Sequence, residues 1–163
     1  MANPKIAIIL GSDSDLPTME DAFKVLRDFA VPFELKILSA HRSPALVHSF
    51  AKSAGKRGLK VIIAAAGGAA HLAGVVGSFT RLPVIGVPME TKSFRGIDSL
   101  LSTVQMPSGV PVATMAIGRA GAKNAAIFAL QILGLSDLKI AKKLRKFKRG
   151  LSAEVAAKNK KLK

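Results

Sequence analysis

Short apolar runs alternate along the chain with segments in which apolar residues recur every third or fourth position. Lys5 to Leu10 is an apolar run ended by Gly11 and reads as a buried strand. Pro17 opens a helix whose Met19, Ala22, Phe23, Leu26 and Ala30 share one face, and Val31-Pro32 stops it. Phe33 to Leu38 alternates as a second strand. Ser39 to Ser43 is a polar loop, and Pro44 opens a helix that ends near Gly55 or Gly58. Val61 to Ala66 is a third strand, followed by Gly67-Gly68 and a short helix from about His71. Pro83 to Val87 is a fourth strand, a long loop leads to a helix near Asp98–Val104, and Val110 to Ala116 is a fifth strand. A helix from about Ala120 to Leu133, a basic helix from Ser136 to about Arg149 and a polar tail complete the pattern.

Five strands alternating with helices predict an α/β fold with a parallel sheet covered on both faces, because parallel strands require crossovers and those crossovers are right-handed. The size fits a doubly wound, flavodoxin-like sheet as a single domain over 1–135, with 136–163 as a basic C-terminal helix and tail. Ligands of such a sheet lie beyond the carboxyl ends of its strands. The loops there are polar or rich in glycine: Gly11–Asp15, Ser39–Pro44, Ala66–Leu72, Gln105–Gly109 and Gly118–Ala122.

Composition narrows the classes. Hydrophobic residues make up 49% of the 163, mean hydropathy is +0.33, and no apolar run reaches the roughly 18 to 20 residues that span a bilayer. The absence of Cys excludes disulfides, thiol catalysis and thiolate metal sites. No signal-peptide pattern opens the chain, so a cytoplasmic location is expected. The net charge of +15 suggests nucleic acid, but its distribution does not. Residues 139–163 hold 11 Lys and Arg against one acid, Glu154, whereas residues 1–138 are only mildly basic. With Phe147 as the segment's lone aromatic, this excess supports nonspecific charge attraction and no specific nucleic-acid reader. A receiver-type signalling domain would need an Asp at the end of strand three, where this chain has Ala64-Ala65-Ala66-Gly67. A flavin carrier would need aromatic residues, and Trp and Tyr are absent.

The loop residues suggest their own chemistry. Gly11 permits a tight turn, and Ser hydroxyls with helix N-terminal N–H groups hold anions; alternatively Ser14 or Asp15 caps the helix begun at Pro17. Asp15 would repel a phosphate and suits sugar hydroxyls. Neither GxGxxG nor GxxxxGK[ST] is present. In His41-Arg42, Arg42 offers a forked donor suited to phosphate and His41 carries protons near neutral pH. His48 reads as surface or packing; His71, at a helix start, fits capping or pocket lining. The small residues Ala64 to Ala70 allow close approach of backbone to a planar ligand, or of a helix to the sheet.

Six blocks, residues 11–15, 39–44, 66–72, 98–102, 105–114 and 121–126, together resemble the PurE family of N5-carboxyaminoimidazole ribonucleotide mutases, in order over about residues 5–135. The resemblance implies a flavodoxin-like three-layer sandwich with a C-terminal helical extension. It implies a homo-octamer and no metal or organic cofactor. The reaction it implies moves a carboxylate from the exocyclic nitrogen of aminoimidazole ribonucleotide to C4, in purine biosynthesis. It assigns proton transfer to His41 and nucleotide binding to Ser12, Asp15 and Arg42, with Ser14 and Ser39 at the phosphate. Gly67, Ala69, His71 and Leu72 would line the base and carboxylate site. Arg42 and the Gly68–Leu72 run match the mutase branch rather than the branch that uses free carbon dioxide. Leu16, Ala65 and Ala73 stand where the family usually has Trp, Gly and Pro.

Overall fold

The computed structural model describes residues 3–162. It holds a five-stranded parallel sheet in the order β2-β1-β3-β4-β5, built from β1 (Ile6–Leu10), β2 (Phe33–Ile37), β3 (Val61–Ala66), β4 (Val84–Pro88) and β5 (Ala113–Thr114). The helices are α1 (Leu16–Asp28), α2 (Pro44–Ala54), α3 (Leu72–Phe79), α4 (Ile97–Val104), α5 (Gly118–Gly134) and α6 (Leu138–Lys160). Two compact units are present, Met1–Ala129 and Leu130–Lys163. No described helix is long and apolar enough to cross a membrane.

The first unit carries the sheet. Strands β1, β3 and β4 are buried along their whole lengths, which is why their sequences run apolar without alternation. Ala7, Ile9, Ile62 and Ala64 share one core cluster with Val47, Phe50 and Ala51 of α2 and Leu72, Ala73 and Val76 of α3. Each fully buried Ile or Leu contributes about 1.5–3 kcal/mol relative to exposure. β2, like the half-buried β5, is an exception. It forms one edge of the sheet, and only its Phe33 is well packed, stacking on Phe23 of α1 at 5.4 Å, while Leu35 and Ile37 are exposed. The chain passes from β1 to β2 on one side and returns to β3 on the other, with Ile8 opposite both Leu35 and Ile63. That reversal opens a crevice beyond the carboxyl ends of β1 and β3.

Three elements differ from the sequence expectation. Ala30 does not extend the face of α1: it is exposed and left-handed (φ 54°), and Val31 N–H closes onto the Leu26 carbonyl at 2.9 Å as a helix stop. β5 has two residues where seven are expected, since Pro111 brings no N–H to the ladder and the strand is the sheet's other edge. α6 continues past Gly150 to Lys160. A lone Gly weakens a helix without ending it, and the Ala, Glu and Lys residues that follow are strong helix formers. Lys163 of the expected polar tail lies outside the described residues.

Candidate active site

The crevice is an open cleft of about 490 Å³, and four loops at the carboxyl ends of β1, β2, β3 and β4 wall it. Gly11, Ser12, Ser14 and Asp15 come from the first, Ser39, Ala40, His41 and Arg42 from the second. In the first loop Gly11 N–H donates to the Ala65 carbonyl at 2.9 Å, tying the turn to β3. A single 3-10 turn, Asp13–Asp15, follows. Ser12 caps it, accepting from the Ser14 N–H at 3.3 Å and the Ser14 hydroxyl at 2.9 Å. Asp15 stands at the N-cap position of α1 but makes no capping bond, so neither Ser14 nor Asp15 serves as the cap that the alternative reading required. The Asp15 carboxyl is half-buried at the cleft. Burial raises its pKa above the usual 3.8 and neighbouring Asp13 adds to the rise, against the hydrogen bonds from the Ser14 side chain and the Ser12 backbone.

The second loop is held by its own serines. The Ser39 N–H donates to Ser43 Oγ at 3.1 Å and the Ser43 hydroxyl donates to the Ser39 carbonyl at 3.0 Å. Ser39 Oγ accepts from the Arg42 N–H at 3.1 Å and from Nε at 3.5 Å, and Arg42 Nη2 reaches the Gly11 carbonyl at 3.4 Å. Arg42 thus spans the first two loops. No described carboxylate pairs with it, so its positive charge faces the cleft uncompensated.

His41 Nε2 lies 2.9 Å from His71 Nδ1, with the rings edge to face at 5.0 Å. His71 occupies the N-cap position of α3 and makes no capping bond. It backs His41 and is not among the residues that line the cleft, where Gly67, Ala69 and Leu72 are. His48 is a packing residue, edge to face with Phe79 at 4.6 Å.

Sequence reasoning missed two groups. Met89, Glu90 and Thr91 line the cleft from the loop after β4. The rule that ligands sit at carboxyl ends applies to β4 as much as to its neighbours, and that was the available signal. Ser99 and Ser102 of α4 hold the glycine-rich loop from behind. The Gly68 N–H donates to Ser99 Oγ at 2.9 Å and the Ala70 N–H to Ser102 Oγ at 3.0 Å. Gly68 itself is left-handed (φ 68°), a conformation glycine adopts without strain. Conversely, Gln105–Gly109 and Gly118–Ala122 do not line the cleft. They flank β5 at the sheet's edge, away from the β1–β3 reversal. Arg119 instead donates to Asp21 of α1 at 2.9 and 3.3 Å and holds that carboxyl below its usual range.

The sequence and the fold both have counterparts among known proteins. A family model described as AIR carboxylase matches residues 5–154. The N5-carboxyaminoimidazole ribonucleotide mutase of Pyrococcus horikoshii is 54% identical over 159 residues, 98% of this chain and 89% of that protein. The protein of the same name from Thermotoga maritima is 52% identical over 159 residues, covering 98% and 92%. The crystal structure of Treponema denticola PurE superposes with a TM-score of 0.87 at 30% identity, over 98% of this chain and 99% of that one. With sequence and fold matching over nearly its whole length, the chain belongs to the AIR carboxylase family.

Proposed function

We propose that the protein is an N5-carboxyaminoimidazole ribonucleotide mutase of de novo purine biosynthesis. The observation that carries this is the meeting of Asp15, His41 and Arg42 in one cleft, beside a wall of small residues from the end of β3 and the loop after it, Ala66, Gly67 and Ala69. Arg42 binds the substrate phosphate through its free guanidinium edge, with Ser12, Ser14 and Ser39 beside it. Asp15 accepts from the ribose hydroxyls. Gly67, Ala69 and Leu72 shape the space for the imidazole and its carboxylate.

The chemistry follows from that binding. The carbamate C–N bond breaks, carbon dioxide leaves, and the exocyclic nitrogen gains a proton. The electron-rich imidazole then attacks the retained carbon dioxide through C4. With the nucleotide bound over the cleft, carbon dioxide held beside C4 is recaptured nearly intramolecularly. C4 now carries both a proton and the new carboxylate, and His41 removes that proton to restore the aromatic ring after supplying one to the departing nitrogen. Because the His71 contact engages Nε2, Nδ1 of His41 is the nitrogen free to exchange the proton. The sequence resemblance implies no metal or cofactor, and this route requires none.

The same reading places the subunit in a homo-octamer. Ile97, Leu101 and Val104 form an exposed stripe along α4, and neighbouring copies would cover it. Purified protein is expected to convert the carbamate ribonucleotide to the C4 carboxylate without ATP, and to run at octameric mass in light scattering. Absence of the C4 product would refute the reaction; active monomers would refute only the assembly.

Asp15 makes a further outcome testable. A folded-state pKa raised above 3.8 means that its contribution to stability is full below that value and is lost as pH rises through the raised pKa. Ionised Asp15 therefore lowers stability at pH 7. Asp15→Asn is expected to melt slightly higher than wild type at pH 7, with the gain shrinking toward pH 4. It should also raise KM about 10- to 100-fold, as charge-assisted hydrogen bonds to the ribose are lost. A lower melting temperature at pH 7 would overturn the assigned cost of burial.

A further inference from the structure

Residues 138–149 hold seven Lys and Arg and no acid. Helix geometry, at about 100° per residue, sorts them. Ile140, Leu144, Phe147, Leu151 and Val155 fall on one side of α6. Lys139, Lys142, Arg145, Lys146 and Arg149 fall within an arc of about 120° on the opposite side. All five cations are exposed. On the apolar side Ile140 is buried and Leu144 packs toward Gly134, so the first turns of that stripe are already covered.

The basic face works against its own helix. Lys139 and Lys142, Lys142 and Lys146, Arg145 and Arg149, and Lys146 and Arg149 are like-charged neighbours three or four residues apart, a spacing that disfavours the helix. No acid alternates with them. Asp137 is engaged as the N-cap, accepting from the Lys139 and Ile140 N–H groups, and Glu154 lies beyond the cluster. Three arginines of the first unit are balanced differently: Arg27 pairs with Glu20, Arg57 with Glu34 and Arg119 with Asp21. A polyanion would relieve the repulsion on α6.

We infer that this face of α6 docks the phosphate backbone of nucleic acid without regard to sequence. From Lys139 to Arg149 the face runs about 15 Å along the helix axis. Phosphates follow one another every 3.4 Å or so along a strand of duplex DNA, so the five cations match four or five of them. The basic arc holds no aromatic side chain for stacking on bases, which leaves release of counterions as the source of affinity. A bilayer surface is the poorer partner, since an interfacial helix inserts its apolar side and here that side is covered where the cations lie.

The test uses the full chain and a fluorescein-labelled 20-base-pair duplex, read by anisotropy between 50 and 200 mM salt. Five phosphate contacts predict a slope of log K against log salt of about −4.5, or an affinity loss of about 500-fold across that range. A duplex of scrambled sequence should bind equally. In the variant Lys142→Gln/Lys146→Gln/Arg149→Gln the slope should fall to about −2 with turnover unchanged. Lys24→Gln/Lys52→Gln, on α1 and α2, should keep the wild-type slope. The inference is overturned by failure to bind at 50 mM salt, by an unchanged slope in the triple variant, or by retention on phosphatidylglycerol vesicles without binding to the duplex.

Discussion

His41→Asn converts the carbamate ribonucleotide at least about 10²-fold more slowly than the wild type, the usual scale of acid–base catalysis. The amide keeps much of the ring's size and polarity but cannot take and return a proton. Nucleotide binding survives, because Arg42 and Asp15 reach the cleft from their own backbone positions. The dependence of rate on pH loses one ionisation that the wild type has. His71→Asn separates moving a proton from supporting the group that moves it. An amide at position 71 can still meet His41 from near the Nδ1 position, so its loss stays within about tenfold, roughly 1.4 kcal/mol. Turnover of both variants across several pH values decides the matter. If His41→Asn keeps most activity and His71→Asn does not, the proton carrier is His71.

Gly86→Ala is expected to destabilise the protein by about 1–3 kcal/mol, the range for overpacked cores. A Cβ at Gly86 in β4 would stand 2.5 Å from Thr103 Cγ2, 3.0 Å from Val112 Cγ1 and 3.4 Å from Ala73 Cβ. Thr103 belongs to α4, and the same helix brings Ser99 and Ser102 to the Gly68 and Ala70 amides. Pushing α4 outward therefore loosens the glycine-rich wall of the cleft, and turnover should fall together with the melting temperature. Gly55→Ala, whose Cβ would meet nothing, is the control. Thermal unfolding and turnover measured on both variants test this; a Gly86→Ala protein with an unchanged melting temperature would show that α4 yields without cost.

The residues that make the cleft were readable where chemistry and local pattern coincide. Ser12, Asp15, Ser39, His41 and Arg42 are polar residues just after the first two strands, and the strand rhythm places them at the carboxyl end of the sheet. Residues acting across the fold were not readable in this way. Ser102 meets Ala70 from 32 positions away, and His71 meets His41 from 30, contacts that no periodicity encodes. Met89 escaped notice because it is apolar and lies next to a buried strand, where such a residue ordinarily belongs to the core. The length of α6 depended on a contest between one glycine and ten residues beyond it, which the helix formers won.

The exposed edge at β2 bears on how the protein behaves at high concentration. An open strand edge offers unpaired N–H and carbonyl groups to any other chain in extended form. Leu35 and Ile37 are exposed beside that edge, with Ile37 52% accessible, a combination that favours sheet-to-sheet aggregation. Glu34 and Lys36 alternate with them, and Arg57 binds Glu34, so a chain adding to β2 must accommodate a row of fixed charges on one face of the growing sheet. Those charges act as gatekeepers, keeping a strand that the fold leaves open from templating a fibril.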